Sequence, residues 1–198
     1  MSERAPRRPD AVATIESIDH EGVGVAHVDG KVVFIEGGVT GERVAFARIR
    51  TGGRFDLAVV TEVLRESSQR ARPRCAYFGT CGGCAMQHVE AGAQVAAKQR
   101  VLEDNLERIG KVRPETVLPP VHGPTWGYRH RARLSVRYVA KKGGSLVGFR
   151  ERKSSYVTDV RSCEVLPPAV SALIRPLREL FTTPAGPERM PQGEPARG

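Results

Sequence analysis

The chain has 198 residues, enough for one or two domains with a buried core. Its net charge of +9 and pI of about 9.9 favour a polyanionic partner, with a merely basic, solvated surface as the alternative. No apolar run reaches the length of a membrane span, and the charged N-terminus lacks the apolar stretch of a secretion signal, so a cytoplasmic protein without membrane contact is predicted.

The N-terminal third of the chain is rich in short β-strand signals. Residues 1–10, with three arginines among prolines, predict a disordered basic tail. Residues 11–66 predict five strands separated by glycine turns, of which Asp29-Gly30 is the clearest hairpin signal. The expected strands are Val12–Ile18, Val23–Val28, Lys31–Ile35, Glu42–Arg50 and Asp56–Leu64. Five such strands predict a small closed barrel of the OB type, a fold that binds nucleic acid in many proteins and is only structural in others.

The four cysteines form the most specific pattern in the sequence, since three of them fall within ten residues at C-x5-C-x2-C spacing. They are Cys75, Cys81, Cys84 and Cys163. Glycines between the first three allow tight turns, so several thiolates can converge on one centre. Four thiolates suit an iron–sulfur cubane or a structural zinc, and a disulfide or unrelated buried thiols are the plainer alternatives. A reducing cytosol disfavours disulfides, and one tight triplet with a remote fourth cysteine favours iron–sulfur.

A basic linker, residues 67–74, leads into the cysteines, and a helix is predicted after them from Ala91 to Ile109. Apolar residues recur on one stripe of this helix at helical spacing. The stripe consists of Val95, Leu102, Leu106 and Ile109. It is interpreted as packing surface, and its partner is left open.

Residues 126–163 hold ten Lys or Arg against two acidic residues, which accounts for most of the positive excess of the chain. Arginines alternate there with mostly apolar residues, and this period of two predicts a strand with the arginines on one face. The row consists of Arg129, Arg131, Arg133 and Arg137. Because guanidinium groups contact phosphates and stack on bases, the row predicts an RNA-binding surface, with a solvated sheet face as the alternative.

The rest of the chain predicts a small central domain, residues 75–181, with antiparallel strands and helices. Gly143-Gly144 marks a hairpin turn, the strand Ser145–Arg150 returns, and Tyr156–Arg161 leads to the last cysteine. A final helix over Ala169–Phe181 should be kinked or divided by Pro176. Residues 182–198 predict a disordered tail. The whole chain is therefore expected to have a β-rich α+β fold.

Three groups of residues resemble bacterial RNA uracil methyltransferases that make 5-methyluridine, above all those acting on 23S ribosomal RNA. The motif Cys75-x-x-Phe78-Gly79-x-Cys81-Gly82-Gly83-Cys84-x-x-Gln87-His88 resembles their iron–sulfur signature. Residues 21–26, 29–31 and 41–44 resemble their N-terminal TRAM domain, an OB-like RNA-binding barrel. Residues 126–134 and 148–150 resemble their central RNA-binding domain. The resemblance implies a 4Fe–4S cluster on the four cysteines, with zinc as the alternative, and adds Phe149 and Arg150 to the candidate RNA contacts.

The resemblance also implies a domain that this sequence does not supply. Members of the family continue into a Rossmann-like domain that binds S-adenosylmethionine and carries a catalytic cysteine. No glycine-rich nucleotide fingerprint occurs here, and the cluster claims all four cysteines, so no catalytic residue is assigned. In the family, the helix corresponding to 91–109 packs with the methyltransferase domain. The chain is therefore expected to self-associate, or to bind a separate methyltransferase domain, through that helix.

Three hypotheses follow. The first is the RNA-recognition half of a methyltransferase, which binds RNA and needs a missing domain for chemistry. The second is a stand-alone RNA-binding protein of TRAM type with a structural zinc or iron–sulfur site. The third is a basic redox sensor, which requires an RNA affinity that changes reversibly with oxidation.

Overall fold

The computed structural model describes residues 7–182. They belong to two compact units, each built from two stretches of the chain. Residues 7–76 and 84–123 form the first unit, and residues 77–83 and 124–182 form the second. The predicted tails lie mostly outside the described residues. Their inner ends are ordered, contrary to expectation: Asp10 donates a backbone hydrogen bond to Phe46 at 3.0 Å, and Thr182 belongs to the last helix.

The first unit contains a mixed six-stranded sheet in the order β1-β5-β6-β4-β3-β2. The strands are β1 Ala11–Thr14, β2 Ser17–Ile18, β3 Gly24–Val28, β4 Lys31–Glu36, β5 Arg43–Thr51 and β6 Phe55–Arg65. Only β4 and β6 pair in parallel. The predicted β-rich character is confirmed. The second to fifth expected strands are found, and none of their ends is shifted by more than one residue.

The first expected strand is divided because it changes partner halfway. Its first half, β1, pairs with β5, and its second half, β2, pairs with β3. At the division the Ile15 N–H donates to the Glu42 carbonyl at 2.8 Å and the Glu16 N–H donates to the Val25 carbonyl at 2.9 Å. The two halves thus stand at opposite edges of the sheet, and a closed five-stranded barrel is not found among the described residues.

Apolar residues of the first unit form two buried clusters. The larger one lies within the sheet and contains Ala13, Ile15, Ala26, Val33, Ile35, Val44, Phe46 and Ala58. The smaller one joins Ile18 and Val39 of the N-terminal part to Met86 and Val89, which follow the cysteine triplet. Full burial of an aliphatic side chain contributes about 1.5–3 kcal/mol. Both clusters therefore contribute to the stability of the unit.

Helix α1, Ala91–Arg108, begins as expected and ends one residue earlier than expected. The Glu90 carboxylate caps it by accepting from the Ala93 N–H at 3.0 Å. Hydrogen bonds from the N–H groups of Gly92 and Ala93 lower the pKa of Glu90. No residue of α1 is buried, and it is the small side chains of Ala93 and Ala97 that pack against the smaller cluster. Leu102 and Ile109, both from the predicted stripe, are exposed.

The second unit is built on a two-stranded antiparallel sheet, β7 Ser135–Val139 and β8 Gly144–Gly148, joined by a short turn. Every residue of β8 is buried. Ser145 connects β8 to the last helix: its N–H donates to Thr182 Oγ1 at 2.9 Å and its Oγ donates to the Phe181 carbonyl at 2.7 Å. The core of this unit consists of Val147, Val160, Leu166 and Ile174.

The prediction of a strand that carries the whole arginine row is largely wrong. Strand β7 begins only at Ser135, and residues 129–134 have no regular structure. The Arg129 N–H donates to the Val165 carbonyl at 2.8 Å instead of joining a strand ladder. The mostly apolar residues that alternate with the arginines do not form a buried face, since Val136 and Tyr138 are exposed. The physical reason is that β8 and the segments after it supply the core of this unit, and no residue of β7 belongs to that core.

The final helix is divided into α2, Pro168–Ala172, and α3, Ile174–Thr182. The division was predicted, but it lies at Leu173, before Pro176. Pro176 is the third residue of α3, a position where its missing N–H has no partner within the helix in any case. Between residues 7 and 182, no helix is both long enough and apolar enough to cross a lipid bilayer.

Candidate metal centre and nucleic-acid interface

No disulfide joins any of the four cysteines, and each is partly buried. Cys75 and Cys84 belong to the first unit, and Cys81 and Cys163 belong to the second. Within residues 7–182, no three His, Cys, Asp or Glu side chains lie close enough together to form a metal-binding group. The predicted ligand set is therefore not assembled in this structure, and ligation by these cysteines stays a prediction.

Cys81 lies in a tight turn of the second unit. The Tyr77 carbonyl accepts from the Cys81 N–H at 2.8 Å, and the Gly82 N–H donates to the Arg150 carbonyl at 2.8 Å. A Cβ added at Gly82 would lie 2.8 Å from that same carbonyl, so the turn requires glycine there. The Gly83 N–H points at Cys81 Sγ, 3.4 Å away. Amide hydrogen bonds of this kind stabilise a thiolate ligand.

Cys163 is held by the same unit through neighbours that the sequence did not single out. Its N–H donates to Ser171 Oγ at 2.8 Å. The Tyr77 hydroxyl accepts from the Arg161 N–H at 3.1 Å, and Tyr77 and Cys163 both pack against the core of the second unit. One tyrosine thus fixes both the Cys81 turn and the segment before Cys163. Its position inside the cysteine motif was the only sequence signal for this role.

Cys75 follows a strap, residues 66–74, that is firmly attached to the first unit. The Ala71 N–H donates to the His88 carbonyl at 2.9 Å, and the Glu90 N–H donates to the Gln69 carbonyl at 2.8 Å. The Cys75 N–H donates to Gln87 Oε1 at 3.3 Å. The predicted basic linker is therefore an ordered segment that fixes the backbone of the first cysteine.

A buried ion pair anchors this strap. The Glu42 carboxylate, 0% exposed, accepts from Arg70 Nε and from Arg70 Nη2, the latter at 2.7 Å, and from the Val39 N–H at 2.9 Å. Burial by itself would raise the pKa of Glu42. The hydrogen bonds from Arg70, Val39 and Ser67, together with the Arg70 charge, outweigh burial and hold that pKa below its ordinary value. The hydrogen bond to Glu42 likewise raises the pKa of Arg70.

The predicted RNA-contact residues occupy different environments. Arg131, Arg133 and Arg137 are exposed, whereas Arg129 is partly buried with its guanidinium carbon 5.8 Å from the centroid of the Phe149 ring. Phe149 is partly buried as well, and a Cβ at Gly83 would lie 3.1 Å from its ring. Arg150 is exposed. Phe149 therefore packs inside the unit, while three of the four arginines of the row are accessible.

Three exposed tyrosines in the same unit were missed as candidates: Tyr128, Tyr138 and Tyr156. Tyr138 is one of the residues that alternate with the arginines, and it lies exposed on β7. Exposed aromatic rings among arginines are typical of surfaces that bind unpaired bases.

No family model matches the chain. The 23S rRNA (uracil(1939)-C(5))-methyltransferase RlmD of Bordetella pertussis is 60% identical over 187 residues, which are 94% of this chain and 40% of that protein. The corresponding protein of Thiobacillus denitrificans is also 60% identical over 187 residues, 94% of this chain and 43% of its own length. By sequence, the chain matches part of a 23S rRNA uracil-C(5)-methyltransferase. It spans about two fifths of the length of these curated relatives.

A solved RNA uracil-C5 methyltransferase has a similar fold. It is the Pyrococcus abyssi tRNA (uracil-54, C5)-methyltransferase, crystallised with S-adenosyl-L-homocysteine. The TM-score is 0.56 at 22% identity, and the match covers 85% of this chain and 36% of that one. At 22% identity, this similarity is evidence for the fold of the chain alone.

Proposed function

We propose that this chain is the RNA-recognition and iron–sulfur portion of an S-adenosylmethionine-dependent methyltransferase that modifies carbon 5 of uracil in 23S rRNA. The observation that carries the proposal is 60% identity to RlmD over 94% of the chain. The exposed arginines and tyrosines of the second unit support an RNA partner. The proposal includes a reducing, cytoplasmic location, because such a location keeps the four partly buried thiols available as ligands.

We also propose that the sheet of the first unit is the OB-type barrel of a TRAM domain. The strand order supports this, because the continuous stretch Ala11–Ile18 pairs with β5 at one end and with β3 at the other. Counted as one strand, this stretch would link both edges of the sheet and leave five strands, the number in an OB fold.

For the cysteines we propose a 4Fe–4S cluster ligated by Cys75, Cys81, Cys84 and Cys163, with a structural zinc as the alternative. Four thiolates are the usual ligand set of such a cluster, which can carry an electron or serve as a structural centre. The chain's own contribution is to hold the ligand backbones in place. Tyr77, Ser171 and Gln87 do this through the hydrogen bonds described above.

Leu102 of α1 and Ile109, the residue after the helix, are both exposed, and they are proposed to contact a methyltransferase domain or a second copy of the chain. The methyl-transfer step requires a thiolate that adds to carbon 6 of uracil, a base that removes the carbon 5 proton, and a pocket for the cofactor. None of these roles is assigned to residues 7–182.

We expect the double variant Arg131→Ala/Arg133→Ala to bind single-stranded RNA with a weaker salt dependence. Each lost phosphate contact reduces the slope of log affinity against log salt by about 0.7, so the slope should fall by about 1.4. Fluorescence anisotropy at several salt concentrations measures this. The matched control is Lys98→Ala/Arg108→Ala, two exposed cations on α1. If both double variants bind like the parent protein, the arginine row is only a solvated surface.

A protein consisting of residues 1–198 should neither bind S-adenosylmethionine tightly nor transfer its methyl group to RNA, because the required pocket and nucleophile are not assigned to it. Titration with radiolabelled S-adenosylmethionine and assay of methyl incorporation into 23S rRNA test this. Saturable tight binding of the cofactor would contradict the assignment of this chain to the RNA-recognition portion.

A further inference from the structure

The segment that carries Cys163, residues 161–163, has no regular structure, so neither a helix nor a strand ladder fixes its backbone. Two side-chain hydroxyls accept its amide groups instead. The Arg161 N–H donates to the Tyr77 hydroxyl at 3.1 Å, and the Cys163 N–H donates to Ser171 Oγ at 2.8 Å. Alternate amides of one short segment are therefore held by hydroxyls from two distant parts of the sequence.

Tyr77 also fixes the turn that carries Cys81. Its carbonyl accepts from the Thr80 N–H at 3.2 Å and from the Cys81 N–H at 2.8 Å. Its side chain is partly buried and packs against the core of the second unit, as Cys163 does. A single residue thus connects the backbone of one cysteine to that of another that lies far away in sequence.

A second series of hydrogen bonds connects the same two cysteines. The Gly82 N–H donates to the Arg150 carbonyl at 2.8 Å. The Glu151 N–H donates to the Tyr156 carbonyl at 2.9 Å, and the segment that follows leads to the last cysteine. The hydrogen bond to the Tyr77 hydroxyl closes these connections into a ring. The position of one cysteine relative to the other is therefore set from two sides.

The chemistry of this unit fits a metal centre held by thiolates. The Gly83 N–H points at Cys81 Sγ, 3.4 Å away, where it stabilises negative charge on the sulfur. The hydroxyls of Tyr77 and Ser171 are uncharged and accept from backbone groups. They therefore determine where the Cys163 backbone lies, whereas the amide acts on the charge of a ligand.

We propose that the hydroxyls of Tyr77 and Ser171 are positioning groups of the proposed metal centre, and that they hold Cys163 ready to complete its ligand set. A segment that is ordered before the metal binds loses less conformational entropy on binding, so the metal is retained more tightly. Groups that orient metal ligands without touching the metal change metal affinity by about 10–100-fold. The inference rests on the proposed metal centre and adds two residues to it.

The first measurement follows the visible absorbance of protein purified without oxygen while a ferrous chelator removes its iron. Tyr77→Phe keeps the ring in the core and removes the hydroxyl, and Ser171→Ala removes the other hydroxyl. Both should lose iron about tenfold faster than the parent protein. The matched control is Tyr156→Phe, because Tyr156 is 65% exposed and the substitution removes the same group. This control should release iron at the rate of the parent.

The second measurement uses metal-free protein under reducing conditions, so it does not depend on the cluster. Alkylation by iodoacetamide, followed by mass spectrometry of the peptides, gives a rate for each cysteine. Both variants should raise the rate at Cys163 about fivefold, since each removes one hydrogen bond from its segment. The rates at Cys75 and Cys84, which belong to the first unit, should not change. Equal acceleration at all cysteines would show general destabilisation and contradict the positioning role.

The outcomes separate this role from the metal centre itself. If the parent holds iron or zinc, and both folded variants release it at the rate of the parent, the positioning role is wrong and the metal centre stands. If Tyr77→Phe only lowers the urea midpoint of metal-free protein, without a change in metal release or in Cys163 alkylation, Tyr77 is a core residue and the inference is overturned. If the parent holds no metal, the metal centre and this role fail together.

Discussion

Glu42→Gln should lower the free energy of unfolding by about 3 kcal/mol, among the largest effects expected of any single substitution in the first unit. The change leaves Arg70 beside a buried neutral amide, and loss of one partner of a buried ion pair costs about 3–5 kcal/mol. The lower end applies because Arg70 retains 20% of its side-chain exposure. Urea unfolding followed by circular dichroism measures the change.

Two further variants identify the cause of this loss. Glu62→Gln, at an exposed position of β6, should change stability by less than about 0.5 kcal/mol. Glu42→Leu/Arg70→Met should be less destabilising than Glu42→Gln, because it removes both buried charges together. An effect of Glu42→Gln no greater than that of Glu62→Gln would show that the buried pair does not stabilise the fold.

The same pair predicts the direction of a pH dependence. Because the folded protein holds the pKa of Glu42 below its ordinary value of 4.5, the stabilisation is complete above pH 4.5 and is lost as the pH falls through the folded pKa. The acid limb of the stability curve should therefore be shallower in Glu42→Gln than in the parent.

Substitution of any one of the four cysteines by serine should strip most of the iron from protein purified without oxygen. The parent should be brown and contain about four iron atoms per chain, and each variant should fall below about one. Serine retains the shape and loses the soft thiolate ligand that binds iron. Iron and sulfide analysis, with the visible spectrum, measures the effect.

Thr80→Ser is the matched control for Cys81→Ser, because it changes the neighbouring exposed residue and leaves all thiols in place. This control should keep its iron. A colourless parent with one equivalent of zinc would replace the iron–sulfur proposal by the structural zinc. A serine variant that keeps its full iron would remove that cysteine from the ligand set.

The sheet of the first unit was predictable because its signals are local. Asp29 and Gly30 both have positive φ, 51° and 77°, as a tight hairpin turn requires, and the alternating residues of β4 need no distant information. The partner change at Ile15 and Glu16 was not predictable, because it depends on which strands β5 and β3 are adjacent to this stretch. No local pattern encodes that adjacency.

The candidate sites also depend on contacts between distant parts of the chain, which local sequence patterns do not encode. Arg129 to Arg137 have the period of a strand, but the buried sheet position is taken by β8 and its neighbours, so only the end of the segment pairs. Glu42 looked like one more strand residue, and its role depends on Arg70, 28 positions later in the chain. Cys75 and Cys84 were grouped with Cys81 by spacing alone, and spacing does not report how the backbone distributes them over the two units.

The smaller apolar cluster has a consequence for how this protein can be dissected. Ile18 and Val39 are covered by Met86 and Val89, residues that follow the cysteine triplet in sequence. A fragment excised at residue 66 would keep all six strands and lose that cover, together with the arginine that neutralises Glu42. Such a fragment would be a sheet with a newly wetted apolar patch and an unpaired buried charge. A fragment that keeps the six strands folded must therefore also include the strap, the residues around Met86 and the first turns of α1.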